Sequence, residues 1–280
     1  MTISENKITE FYEYLISEEK SPKTIEKYIR DIKEFARWLG NRKLCKQEML
    51  IYKERLISEY APASVNSILS SLNTFFAHNE MYGLRVKNVK IQRQMFANED
   101  KMLTKDEYER LLDAAKDKKN EKLMLIMQTI CATGIRVSEL QFITVDAVNT
   151  GKAVVKLKGK IRTVFLPAQL CRQLKRYIKE NGIAEGHVFI NRKGTPIDRT
   201  SIWKAMKSLC QTANVERTKV FPHNLRHLFA RTYYSIQKDI VRLADILGHS
   251  SVNTTRIYTI ENGNIHRMQI QELGLVRMKM

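Results

Sequence analysis

The chain has 280 residues, too long for one typical domain and comfortable for two. Its hydrophobic share of 43% allows a substantial core, and the lack of any run of about 18 apolar residues excludes a membrane-spanning helix. Lys and Arg number 48 against 30 Asp and Glu, and residues 101–280 hold 32 of those bases and only 16 of the acids. That excess points to a polyanion as partner of the second part, nucleic acid above all, with a plainly basic surface as the alternative.

The first 90 or so residues carry four helical patterns. "ISENKITEFYEYLISEEK" spaces Ile8, Phe11, Leu15 and Ile16 near helical period. "SPKTIEKYIRDIKEFARWLG" is the clearest: Ser21 caps, Pro22 takes the first turn, and Ile25, Tyr28, Ile32 and Phe35 form a stripe until Gly40. "KQEMLIYKERLISEY" and "APASVNSILSSLNTFFAHNEMYG" follow, the last predicted to run to about Gly83. Between its apolar positions stand Ser64, Asn66, Ser67 and Ser70, short enough to let a phosphate backbone approach, or simply a wet helix face. "RVKNVKIQRQMFANEDK" has no sustained period and reads as a linker.

Beyond it, "LTKDEYERLLDAAK" has a Thr104 cap and an acidic first turn, and "EKLMLIMQTICATG" is apolar enough to be a buried helix ending at Gly134. "KAVVKLKGKIRTVFLP" alternates β-branched and basic residues around Gly159, as a hairpin does. Helices are expected over 168–181 and 199–213, a short extended segment around "HVFINRKGTPI", and helix again from Pro222. The N-terminus is polar and acidic, unlike a targeting peptide. Cys45, Cys131, Cys171 and Cys210 form no CxxC pair, so neither a disulfide framework nor a zinc site is expected, and a cytoplasmic location fits.

Four stretches hold side chains that chemistry can use. In "CATGIRVSEL", Arg136 follows the buried helix, and alone it reads as a surface residue or a partner of Glu139. The hairpin carries Lys156, Lys158 and Lys160, by default a solvated edge. In "FPHNLRHLFARTYY", His223 and Arg226 stand three apart on one helix face, which suits an anionic target that also needs a proton moved, or is simply a solvated basic face. "LGHSSVNTTRIYT" sets His249 nine residues before Tyr258.

In this order, ATGIRVSEL, the lysine hairpin, HNLRH and LGHSSVNTTRIYT closely resemble the tyrosine recombinase family, the phage integrases and Xer-type enzymes. The likeness spans nearly the whole chain, because the four-helix part resembles that family's core-binding domain. It implies a mainly α fold with a small antiparallel β-sheet, in two domains that clamp DNA: a core-binding domain over 1–88, a linker over 89–101, and a catalytic domain over 102–280 with a tail from about 262.

The resemblance further implies that Arg136 and Arg226 clamp the phosphate, with Glu139 in support. His223 opens the His-x-x-Arg element, His249 fills the second His/Trp position, and Tyr258 sits where the nucleophile sits. Lys158 matches the hairpin lysine, with Lys160 competing because the family's Gly-Lys-Gly is Leu157-Lys158-Gly159 here. Lys160, Arg162, Ser64, Asn66, Ser67 and Ser70 are expected to touch DNA. The His that often follows Tyr-Thr in the family is Ile260 in this chain.

The chemistry agrees with these residue types. A phosphodiester attacked in line gains charge on its equatorial oxygens, and two guanidiniums offer forked, permanently charged donors for it. A phenol of pKa about 10 needs its proton taken, by His223 or His249, and the leaving 5′-oxygen needs one from a hairpin lysine. With that much positive charge, no metal or other cofactor is expected.

The expected activity is site-specific recombination through a 3′-phosphotyrosyl intermediate and a Holliday junction, for integration, excision, inversion or resolution. The expected partners are duplex DNA with an inverted-repeat core site and three further protomers, of this chain or of a partner recombinase. The tail "IENGNIHRMQIQELGLVRMKM" docks either on its own domain or on a neighbouring copy. Nothing resembling an arm-binding domain precedes the first helix, which suits an Xer-like enzyme or the integrase of a small mobile element. A type IB topoisomerase and a non-catalytic DNA-binding relative are the alternatives.

Overall fold

The computed structural model describes residues 3–91, 99–157, 160–258 and 271–273, and the chain divides into two compact units, Met1–Arg93 and Gln94–Met280. The hairpin tip with Lys158, residues 92–98 of the expected linker and nearly all of the expected tail lie outside the described residues.

Four helices build the first unit: α1 (Glu5–Ser17), α2 (Pro22–Leu39), α3 (Lys46–Glu59) and α4 (Pro62–His78). The hydroxyls of Ser4 and Ser21 accept from the backbone N–H groups of Lys7 and Thr24, so α1 and α2 begin at residues built to cap them. Pro22 and Pro62 sit in the first turns, where a missing N–H costs nothing. The α2 stripe buries Ile25, Ile32, Phe35 and Leu39. Ile16, expected on the buried stripe of α1, is 50% exposed, because a helix turns about 100° per residue and Leu15 already takes the core direction.

The helix α4 stops short of Gly83. Glu80 enters the left-handed region at φ 58, and the N–H of Met81 closes back onto the Phe76 carbonyl at 2.7 Å, which ends the helical ladder. Phe11, Phe35, Phe75 and Phe76 are fully buried, with Phe11 edge-on to Phe75 at 5.3 Å between centroids. Two α4 asparagines then pair with the following chain as a strand would. Asn73 exchanges bonds of 2.9 Å with both backbone groups of Val86, and Asn66 does the same with Val89 at 2.9 and 2.7 Å.

In the second unit, α5 (Lys105–Asp117) opens on a capping box between Thr104 and Glu107. The apolar α6 (Glu121–Thr133) is buried, and Gly134, at φ 65, caps it. A short 3₁₀ turn and α7 (Val145–Thr150) lead into β1 (Lys152–Leu157) and β2 (Lys160–Phe165), an antiparallel pair with Ala153 opposite Val164 and Val155 opposite Arg162. Ala153, Val155 and Val164 are buried while Val154, Ile161 and Phe165 are exposed. By that alternation Arg162 falls on the core side.

Then follow α8 (Ala168–Glu180), α9 (Arg199–Lys207), α10 (Pro222–Gln237), α11 (Ile240–Leu247) and α12 (Val252–Thr255). The helix expected over 199–213 is shorter than its pattern, since after Lys207 the N–H groups of Leu209 and Cys210 bond three residues back. The segment around 187–197 makes only isolated bridges, Thr144 with His187 and Ile190 with Pro196. The mainly α architecture with one small antiparallel sheet is as the sequence predicts. Among the described residues no helix is long and apolar enough to cross a membrane.

Candidate active site

The start of α10 is where distant parts of the second unit converge. Its residues His223, Arg226 and His227 lie at i, i+3 and i+4, on one face. That face meets the turn after α6 and the turn after α11, both made by glycines in the left-handed region, Gly134 at φ 65 and Gly248 at φ 64. A Cβ on Gly134 would stand 2.5 Å from the Phe229 ring of α10, so only glycine lets the two helices approach this closely.

Arg226 is 1% exposed and makes its bonds across this junction. It donates to the Gly134 carbonyl, to the Leu247 carbonyl at 2.7 Å and to His249 Nε2 at 3.0 Å. Burial, then the charge of Arg136, brings its pKa down to about 10, so it stays cationic at neutral pH.

The bond to His249 decides a tautomer. A guanidinium has only donors, so Nε2 must accept, and the ring proton sits on Nδ1. From there it donates to Thr255 Oγ1 at 2.8 Å, and Thr255 is fully buried. Burial, then Arg226 and Arg136, pushes the pKa of His249 down to about 4, which matches a neutral ring.

Arg136 stands across the junction as the residue before the 3₁₀ turn Val137–Phe142. It donates from Nη1 to Glu139 Oε1 at 2.9 Å and from Nη2 to the Gly248 carbonyl at 3.3 Å. Glu139 is 2% exposed and also receives the Arg136 backbone N–H at 3.0 Å and Arg162 Nη2 at 2.6 Å, both on Oε2. Burial works to raise its pKa, but the Arg136 N–H and the Arg162 charge outweigh that and hold it below the usual carboxylate value.

Tyr258 follows α12 in a 3₁₀ turn and is 4% exposed. Its ring lies edge-on to His227 at 4.7 Å and nearly parallel to His249 at 6.0 Å. His227 in turn lies edge-on to His223 at 4.5 Å. His223 keeps an edge open to solvent, yet desolvation, then the charges of Arg226 and Arg136, holds its pKa below the ordinary histidine value. The pKa of His227 falls to about 4 by burial first and the charge of His223 next.

The structure thus gathers Arg136, Glu139, His223, Arg226, His249 and Tyr258 in one cluster. His227 joins them unforeseen, although its place four residues after His223 on a helix is a signal the sequence carries. Lys158 and the side chain of Lys160 lie outside the described residues. Arg162 is 14% exposed, with both Nη atoms bonded inside the chain. Ser64, Ser67 and Ser70 are exposed on α4 in the first unit, and Asn66 beside them is occupied by the Val89 backbone. Among the described residues no three His, Cys, Asp or Glu side chains are grouped as metal ligands.

Comparison with known proteins places the chain among the tyrosine recombinases as a class. The phage integrase family profile matches residues 101–264, and the profile of the phage integrase N-terminal SAM-like domain matches residues 8–79. The chain belongs to the phage integrase family, whose characteristic reaction is DNA cleavage and rejoining in site-specific recombination. It is 27% identical to tyrosine recombinase XerA of Pyrococcus furiosus over 268 residues, covering 92% of this chain and 90% of that one. It is 30% identical to tyrosine recombinase XerD of Xanthomonas axonopodis pv. citri, covering 89% of each. Among solved structures, a lambda integrase tetramer bound to a Holliday junction shares the fold with a TM-score of 0.71, at 20% identity over 92% of this chain and 77% of that one.

Proposed function

We propose that Tyr258 is the nucleophile of a recombinase acting on duplex DNA, and that the cluster around it is the site of strand cleavage. One observation carries this reading: the Tyr258 ring lies against His227 and His249, and His249 is bonded to the buried Arg226. Tyr258 Oη bonds to phosphorus as the bond from phosphorus to the 5′-oxygen breaks. The phenolic proton leaves to an imidazole, His223, or His249 once the phosphate has drawn Arg226 off its Nε2, and the 5′-oxygen takes a proton from the hairpin, from Lys158 or Lys160. Arg136 and Arg226 hold the charge that builds on the equatorial oxygens. The phosphotyrosyl bond keeps the energy of the phosphodiester, so a 5′-hydroxyl from another strand rejoins without ATP.

Tyr258 and Arg226 are both closed to solvent, so a scissile phosphate reaches them only after the segment carrying Tyr258 moves. In the first unit, exposed Ser64 and Ser67 line a groove where Lys27, Arg30, Arg37 and Arg55 are paired with Asp31, Glu34 and Glu59, so its small side chains rather than its net charge suit it to a backbone. The 32 bases of residues 101–280 supply the second DNA-binding surface. Four copies on two synapsed duplexes complete the assembly, a reading supported by the shared fold of the lambda integrase tetramer bound to a Holliday junction. The four cysteines are free, which fits a reducing cytoplasm.

The test is capture on nicked duplexes drawn from a random-sequence pool, in which cleavage releases the short strand and traps the enzyme. The wild-type chain forms a covalent adduct on a selected sequence and Tyr258→Phe forms none. An adduct with the Phe variant sinks the assignment, and relaxation of supercoiled plasmids regardless of sequence would make the enzyme a topoisomerase.

A further inference from the structure

We propose that Arg162 is a positioning residue that ties strand β2 to Arg136 and to the Gly248–His249 turn, and that it acts on cleavage through Glu139 without touching DNA. This rests on the cluster being the cleavage site.

The geometry is a closed circuit. Arg162 Nη2 donates to Glu139 Oε2 at 2.6 Å, and Glu139 Oε1 accepts from Arg136 Nη1 at 2.9 Å. Arg136 Nη2 donates to the Gly248 carbonyl at 3.3 Å, and Arg162 Nη1 donates to the Ile246 carbonyl at 2.6 Å, two residues earlier. The circuit joins β2, the turn after α6 and the end of α11, stretches far apart in the chain.

Gly248 shows how close the fit is. A Cβ there would stand 2.5 Å from Arg162 Cδ and 2.8 Å from its Nε, so the guanidinium stem passes directly over the glycine. The position also has φ 64, which a side chain adopts at a cost. His249 comes next in the chain, and its Nε2 receives Arg226. One side chain therefore bears on both parts of the site: on Arg136 through a shared carboxylate, and on the His249 turn by direct packing.

The alternative, a strand arginine reaching into a DNA groove, fits the geometry badly. Both Nη atoms of Arg162 are bonded inside the chain, and unlike the equally engaged Arg226 it bonds to no group that touches the Tyr258 ring. Its charge is also one of the main influences holding Glu139 ionised. The hairpin that carries Lys156 and Lys160 is in this way bolted to the arginine it must work beside.

The experiment uses the full-length chain and the nicked duplex that the wild type captures best from the random pool. Arg162→Met keeps the apolar stem over Gly248 and removes the guanidinium. It should bind the duplex with an unchanged slope of log affinity against log salt, while the single-turnover rate of adduct formation at saturating protein falls about 100-fold, the cost of a misplacement near 1 Å. Paired with Glu139→Gln, its loss should fall well short of multiplying with that of Glu139→Gln, because the two variants break a shared path.

A salt slope reduced by about 0.9, with full rate at saturation, would show a phosphate contact and overturn the proposal. Rate losses that multiply in the double variant would overturn it too, as would a Met variant that fails to fold, since the residue would then be structural only. If the wild type captures no member of the pool, it is the cleavage reading that fails, and this outcome is separate from the others.

Discussion

His249 Nε2 accepts a hydrogen bond from Arg226 at 3.0 Å while its Nδ1 donates to the buried hydroxyl of Thr255 at 2.8 Å. The ring is thus held in one tautomer by partners on both sides. Thr255→Val removes the acceptor and leaves Nδ1–H unpaired, at a cost of about 1–3 kcal/mol. The expected result is a tenfold or greater loss of single-turnover cleavage, with Thr255→Ser close to wild type. Nitrogen NMR of the imidazole checks the cause: all three keep the proton on Nδ1, where Arg226 places it, but only the Val variant loses the signature of a hydrogen-bonded Nδ1–H.

The same histidines set an acid limit on stability. His249 and His227 have pKa values of about 4 in the folded chain, below the ordinary histidine value, so the unfolded chain binds more protons between roughly pH 6.5 and 4. Their contribution is complete above pH 6.5 and is lost as pH falls through 4. Urea unfolding at successive pH values should show stability declining over that window, with the larger share from the more enclosed His227 and a smaller, solvent-screened share from His249. His227→Phe, which keeps a ring against Tyr258, should flatten part of the slope; an unchanged slope would show that His227 does not titrate this way.

Two glycines separate backbone strain from crowding. Gly134 and Gly182 both have positive φ, 65 and 62, but a Cβ at Gly134 would meet the Phe229 ring at 2.5 Å, while nothing lies within 4 Å at Gly182. Gly182→Ala should cost about 1 kcal/mol, the backbone part alone. Gly134→Ala adds overpacking of about 1–3 kcal/mol and pushes on the carbonyl that receives Arg226. Thermal unfolding of the two variants gives the difference, and equal losses would refute the close α6–α10 approach.

Asn66 binds both backbone groups of Val89, so its amide is not spare for DNA. Asn66→Ala should destabilise the first unit by about 1–3 kcal/mol and leave the salt dependence of DNA binding unchanged. Ser67→Glu, at an exposed position of the neighbouring groove, should do the reverse, weakening binding by charge repulsion with little effect on unfolding.

Most of the fold was legible because it is written locally. Ser21 and Pro22 start α2, Thr104 and Glu107 start α5, and Gly134 and Gly248 close helices, each by contacts within a few residues. The residues Arg136, Glu139, His223, Arg226, His249 and Tyr258 could be listed because the order of their motifs resembles that of the tyrosine recombinase family. The ends of α4 and α9 were less legible, since a left-handed Glu80 and bonds reaching three residues back depend on how the chain packs afterwards.

The sequence by itself determined the class of fold and the order of the motifs, because capping, periodicity and motif order are properties of neighbouring residues. Only the tertiary structure decided what each residue does in the site. Arg162 faces inward because its strand pairs Val155 with it on the core side, and His227 meets Tyr258 because α10 packs against the turn after α12. Arg226 is sealed because its bonds end on carbonyls 92 and 21 residues away. Such partners are set by burial and by the cost of leaving enclosed donors unpaired, conditions that exist only once distant segments have come together.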